Sequence, residues 1–127
     1  MLHSSIVGGS SASRVVNCPG SVALVQKMPP RPSSEHADRG TLLHAAMSGM
    51  LEEKIDSPIG MKYNGQEITP ELAAEKIAVA WELLNEVDPD KTMEFMVETS
   101  VNFGDMLPGV FGSADLLGRI GARAIVL

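Results

Sequence analysis

A chain of 127 residues has room for one domain at most, which excludes a multidomain machine. With 44% apolar and 20% charged residues and a mean hydropathy of +0.08, the composition supplies a core and excludes both a disordered and a membrane-spanning chain. Ten Lys and Arg against sixteen Asp and Glu give a net charge of −6, so no general basic field draws the chain to nucleic acid or anionic lipid, and any phosphate contact must be local.

Residues 1–9 read as a flexible lead-in that lacks the basic and apolar segments of a secretion signal. No apolar run approaches the roughly 20 residues of a membrane helix, so the expected compartment is the cytoplasm. Ser10 or Ser11 then caps a short helix that ends near Asn17, because Pro19 disfavours helical geometry at Cys18. A second helical turn carries Val22, Ala23, Leu24 and Val25 into a connector that Pro29, Pro30 and Pro32 hold extended.

From Ser34 to about Lys54, Ala37, Leu43, Met47, Met50 and Leu51 recur at helical spacing, with Glu35 and Asp38 in the first turns. Gly40 and Gly49 each weaken this helix by about 1 kcal/mol against alanine. Asn64-Gly65 between short apolar runs predicts a two-residue hairpin or surface turn, read as decoration. Thr69, Pro70 and Glu71 open the next helix, whose stripe is Leu72, Ile77, Ala80, Trp81 and Leu84, and Asp88-Pro89 closes it.

The period then changes to two. Met93, Phe95, Val97, Thr99, Val101 and Phe103 alternate with Glu94, Met96, Glu98, Ser100 and Asn102, which predicts a half-buried strand. A turn at MLPG leads to a second strand, VFGSADLLG, and Gly121 leads to AIVL, the start of a buried third. The fold class expected is α/β with an α+β order in these residues, helices first and strands after. Since a strand beginning AIVL needs more residues than remain, 1–127 reads as a single partial domain.

Three elements carry candidate chemistry. Asp115 lies in an otherwise apolar strand between Gly112 and Gly118, where burial costs several kcal/mol unless the carboxylate is paired or metal-bound, and where a strand end or turn would instead leave it solvated. His44 shares its helix with His36; a neutral imidazole is a good metal ligand, although a lone helical histidine is more often a half-buried core residue. No HExxH pattern accompanies it, which disfavours a helix-borne zinc site.

Cys18 is the single cysteine, which excludes an internal disulfide framework and a Cys-pair zinc site; it reads as a small buried hydrophobe, a thiolate nucleophile or a ligand of a cluster completed elsewhere. Arg14, Lys27, Arg31 and Arg39 make the N-terminal third locally basic, the one hint of phosphate contacts, while Glu98 reads as a solvated charge. No Walker loop, GxGxxG or GxSxG occurs, so nucleotide hydrolysis and serine-hydrolase chemistry are excluded.

In order, SSASRVVNCPGS, GTLLHAAM and VETSVNFGDMLPGVFGSADLLG resemble the N-terminal half of the PD-(D/E)XK nuclease superfamily in its RecB-like branch, nearest to an uncharacterised phage and prophage family related to the CRISPR adaptation nucleases. The resemblance implies the first strands of a restriction-endonuclease-like mixed sheet and a divalent-metal-dependent DNA exonuclease-like activity. By the same likeness His44 matches the helical histidine that helps hold Mg²⁺ or Mn²⁺, Asp115 the first metal-ligating catalytic acid, and Cys18 the first cysteine of a 4Fe-4S cluster. Arg14 and Arg39 are the candidate DNA contacts, and phage recombination proteins the candidate partners.

The family's Asp/Glu-x-Lys motif would follow AIVL and is not among these residues, so the 127-residue chain alone is expected not to cleave DNA. The alternative is a non-catalytic binding or structural module of phage DNA recombination or packaging.

Overall fold

The first helices end where the chain loses a donor. In the computed structural model, which describes Ser4 and residues 6–127, α1 (Ala12–Asn17) stops at Cys18, held by Pro19 at φ −145° and ψ 82°, and α2 (Ser21–Lys27) begins directly after Gly20. The lead-in read over 1–9 lies partly outside the described residues. Within it, the Ser4 hydroxyl donates to the Gly109 carbonyl at 2.6 Å and accepts from the Val7 N–H at 3.1 Å. Residues 29–34 have no regular structure, as three prolines require.

Helix α3 (Glu35–Leu51) is the longest element and carries the core. Ser34 is its N-cap: the backbone there is extended and its hydroxyl accepts the Ala37 N–H at 3.2 Å, with Glu35 and Asp38 at the positive helix end. The helix ends at Leu51, short of the expected Lys54. Its buried stripe is also turned about one residue from the predicted one, with Leu42 and Ala46 innermost and Leu43, Met47 and Met50 beside them. Apolar residues at adjacent positions, Leu42-Leu43 and Ala46-Met47, leave the periodicity free to choose either face.

The two glycines of α3 differ. A Cβ at Gly49 would sit 3.1 Å from the Ile55 side chain, so that glycine permits a close packing of the segment that follows the helix. Nothing lies within 4 Å of a Cβ built at Gly40. Gly40→Ala is therefore expected to stabilise the chain by about 0.5–1 kcal/mol, seen as a higher urea midpoint at unchanged slope; an unchanged midpoint would show that this turn of α3 is not helical in solution.

Strands β1 (Lys62–Tyr63) and β2 (Gln66–Glu67) pair across Asn64-Gly65, both at positive φ (45° and 80°), the two-residue turn that this dipeptide predicts. The hairpin is more than decoration. Ile68, directly after β2, is fully buried in the core cluster with Leu42, Ala46 and Ile77. The next helix starts as the sequence predicts: Thr69 accepts the Leu72 N–H at 3.2 Å and Pro70 occupies the first turn. The chain runs from α4 (Pro70–Leu72) through a π-helical turn (Ala73–Ile77) into α5 (Ala78–Val87), burying Leu72 and Ile77. Nothing in the residue spacing announces the π turn.

A three-stranded antiparallel meander completes the fold: β3 (Glu94–Asn102), β4 (Phe111–Ile120) and β5 (Arg123–Val126), in the order β3-β4-β5. On β3 only Val97 and Thr99 are half-buried, while Phe95, Val101 and Phe103 of the same alternating set remain exposed. On β4 Ala114, Leu116 and Gly118 are buried and Asp115 points out between them. The architecture is thus α+β, helices followed by an antiparallel sheet, as the element order predicts. No helix among the described residues is long and apolar enough to cross a membrane.

Candidate functional site

Three residues far apart in sequence meet where α3 crosses the β3-β4 hairpin. His44 and Ser48 lie one turn apart on α3, so their side chains share a face. The pairs Val97↔Leu116 and Thr99↔Ala114 put Glu98 opposite Asp115. The ladder is interrupted at that step, and Glu98 has a φ of +50°, a conformation that costs a non-glycine residue on the order of 1–3 kcal/mol.

Around His44 the distances are short. Its Nε2 lies 3.0 Å from Glu98 Oε1 and its Nδ1 lies 3.6 Å from Asp115 Oδ2. The Ser48 hydroxyl donates to the same Glu98 Oε1 at 3.2 Å. Nε2 is enclosed, and although Glu98 Oε1 is within reach, it lies off the N–H direction, so this buried nitrogen has no formed hydrogen bond among the described residues. The Nδ1 to Asp115 separation exceeds a hydrogen bond. Asp115 is 61% exposed, Glu98 39% and His44 28%, so the group opens to solvent at the Asp115 end.

Like charges directly opposite one another on paired strands repel, and a cation between them relieves the repulsion. The imidazole stands in that position. The 3.6 Å between His44 Nδ1 and Asp115 Oδ2 is within the span that two ligands each about 2.1 Å from one ion can have. Among the described residues no group of three or more His, Cys, Asp or Glu side chains is arranged to hold a metal. Mg²⁺ is commonly held by one or two carboxylates, with the rest left to water and phosphate oxygens, and among the described residues Asp115 is the one carboxylate beside Nδ1.

Beside the group lies a largely apolar cleft of about 640 Å³, whose walls include Leu43, His44, Met47, Asp115 and Leu116. A second cleft of about 530 Å³ runs from Glu98 past Ser100 and Asn102 along the β3-β4 hairpin. Charge interactions at the mouth of an apolar cleft are stronger than in open water.

The remaining sequence candidates do not join this group. Cys18 is exposed at the end of α1, where its N–H donates to the Arg14 carbonyl. One thiolate does not hold a four-iron cluster, whose other ligands would have to come from elsewhere. Arg14 and Arg39 are both exposed, and no hydrogen bond or ion pair links either to His44 or Asp115 among the described residues. Arg39 acts instead on Glu75, whose carboxyl is held below the usual carboxylate range by the Lys76 ammonium bonded to it and, to a smaller degree, by Arg39.

Glu98, which the sequence reads as a solvated charge, is instead part of this group, in contact with Ser48 and His44. Sequence offers no signal for its partner: counting outward from the MLPG turn would pair Glu98 with Leu117, and only the observed register, shifted by two residues, sets it opposite Asp115.

No curated protein and no solved structure matches the chain significantly. A family model does, over residues 3–124, nearly the whole length that builds the helices, the hairpin and the meander. Its description is "Protein of unknown function (DUF2800)", and the chain belongs to that family.

Proposed function

We propose that these residues are the N-terminal portion of a divalent-metal-dependent DNA nuclease of the RecB-like PD-(D/E)XK type, with His44 and Asp115 as metal ligands. The observation that carries the reading is their juxtaposition: 71 positions apart, from a helix and a strand, they present Nδ1 and Oδ2 3.6 Å from one another at the mouth of a cleft. Asp115 is the kind of oxygen donor that Mg²⁺ and Mn²⁺ favour and His44 would add one imidazole nitrogen; an ion held there would supply stabilisation of charge at a scissile phosphate. The chain's own part is to hold the two ligands on separate rigid elements, so that their spacing is set by packing.

No Asp/Glu-x-Lys follows Asp115 within the 127 residues, so these residues by themselves do not supply the second acid and the lysine that this type of centre uses. The chain alone then leaves DNA intact. Arg14 and Arg39 are the proposed phosphate contacts, local positive charge on a chain of net charge −6.

The test is digestion of linear double-stranded DNA with Mn²⁺ by these 127 residues alone and by a protein in which they are followed by an Asp/Glu-x-Lys strand. The longer protein is expected to digest DNA and to lose that activity with His44→Ala, whereas the 127-residue chain releases no nucleotide. Digestion that survives His44→Ala in the longer protein would sink the assignment. A longer protein that binds DNA without Mn²⁺ and never cuts it would favour the non-catalytic module of recombination or packaging.

A further inference from the structure

The three-stranded sheet ends on β3, and among the described residues no strand pairs with the outer edge of β3. Folded chains ordinarily blunt such an edge by keeping it short or by placing Lys or Pro on it, because a row of unpaired N–H and C=O groups is a template for another strand. β3 is 9 residues long and carries neither Lys nor Pro. It also bears apolar side chains that the fold leaves uncovered: Phe95 and Val101, with Phe103 directly after the strand, are 42%, 50% and 57% exposed. The whole chain exposes 9254 Å², about 2,700 Å² more than the roughly 6,500 Å² expected of a folded monomer of 13.5 kDa. An obligate dimer interface removes on the order of 1,000–2,500 Å² from each copy, so the surplus is of the size that such an interface covers.

We infer that β3 pairs antiparallel with β3 of a second copy of this chain across a two-fold axis at Thr99, so that one continuous sheet runs from β5 of one copy to β5 of the other. The second copy is the occupant because the strand complements itself about that axis. Phe95 meets the partner's Phe103 and Val97 the partner's Val101, which joins the exposed apolar residues to the face that Ala114 and Leu116 bury within each copy. Glu98 then faces the partner's Ser100. An axis at Glu98 would instead set two carboxylates directly opposite, which repels, and an axis at Ser100 would set Phe95 against the partner's Asp105. The positive φ at Glu98 removes one step of a ladder and leaves its neighbours paired, as on the β4 side, where Val97 and Thr99 both keep their partners. Helix α3 does not obstruct the edge: it touches Glu98 and, one strand inward, Asp115, and so lies over the β3-β4 pair. The pairing makes no use of the proposed metal site, and either can fail without the other.

Ser100 tests both the interface and its register, because it is exposed and is not one of the proposed ligands. Ser100→Lys puts a cation opposite the partner's Glu98, and Ser100→Glu puts a second carboxylate there. Two-fold symmetry places each of these pairs in the interface twice. The measurement is sedimentation equilibrium of the 127-residue chain and of both variants, with urea unfolding to show that each is folded.

The wild-type chain is expected to sediment at about 27 kDa, twice the 13.5 kDa of one chain. Ser100→Lys should lower the dissociation constant of the dimer about tenfold and Ser100→Glu raise it about tenfold, with both differences shrinking as salt is added. A wild-type chain that remains at 13.5 kDa at about 100 μM overturns the inference, whatever else covers the edge. A dimer that responds to neither variant is paired through another face, and one that both variants weaken is centred on Ser100, where like charges would meet in each case; either result also overturns it.

Discussion

Replacing Asp115 with alanine is expected to abolish measurable Mn²⁺ binding, a loss of at least about 100-fold, the upper end of what removing even an outer hydrogen-bond partner of a metal site costs. The same change is expected to leave unfolding free energy within about 0.5 kcal/mol of wild type, because Asp115 is 61% exposed and has no hydrogen bond to a backbone group among the described residues. It could even stabilise slightly by removing the repulsion from Glu98 across the strand pair. That separation of binding from stability distinguishes a ligand from a structural charge. Calorimetry with Mn²⁺ and a urea titration on the same preparation measure both. If Asp115→Ala binds Mn²⁺ as well as wild type does, the pair with His44 is an ion pair across the α3 and β4 contact and nothing more.

Much of this arrangement was legible because local chemistry decided it. Thr69-Pro70-Glu71 could start a helix in only one way, Asn64-Gly65 supplied the two positive φ angles of a hairpin, and the alternation from Met93 fixed a strand. His44 and Asp115 were legible individually, each as an unusual residue type in an apolar element, and they do meet. What escaped was decided by tertiary contact. Ile68 looked like the tail of an ornamental turn, and only the docking of the hairpin on α3 makes it core. The buried face of α3 could not be chosen while apolar residues stood side by side at 42–43 and 46–47.

Glu98 escaped for a related reason: a strand's polar face is ordinarily solvated, and what reaches it depends on which helix crosses the sheet. The interrupted ladder at that residue is likewise a property of the assembled sheet. Its energetic cost, on the order of 1–3 kcal/mol, must be met by a core in which few side chains are fully enclosed. The site and the core are therefore coupled through α3, which gives His44 to one and Leu42 to the other.

Leu42→Ala is accordingly expected to cost about 3 kcal/mol, within the 2–5 kcal/mol range for truncating a buried leucine. Leu42 is 2% exposed, and among the described residues it and Ile68 are the large side chains that are fully enclosed. Against a total stability on the order of 5–15 kcal/mol, that loss brings the chain toward its unfolding threshold at 37 °C. Leu83→Ala on α5 is the control: at 57% exposed it should move the urea midpoint little, by an amount equivalent to less than about 0.5 kcal/mol. Below the transition, the folded fraction of Leu42→Ala should still bind Mn²⁺, more weakly than wild type, because a cavity under α3 loosens the register between His44 and Asp115. A cost under about 1 kcal/mol would mean that α3 is not anchored through Leu42, Ile68 and Ile77, and that packing does not set the spacing of the two proposed ligands.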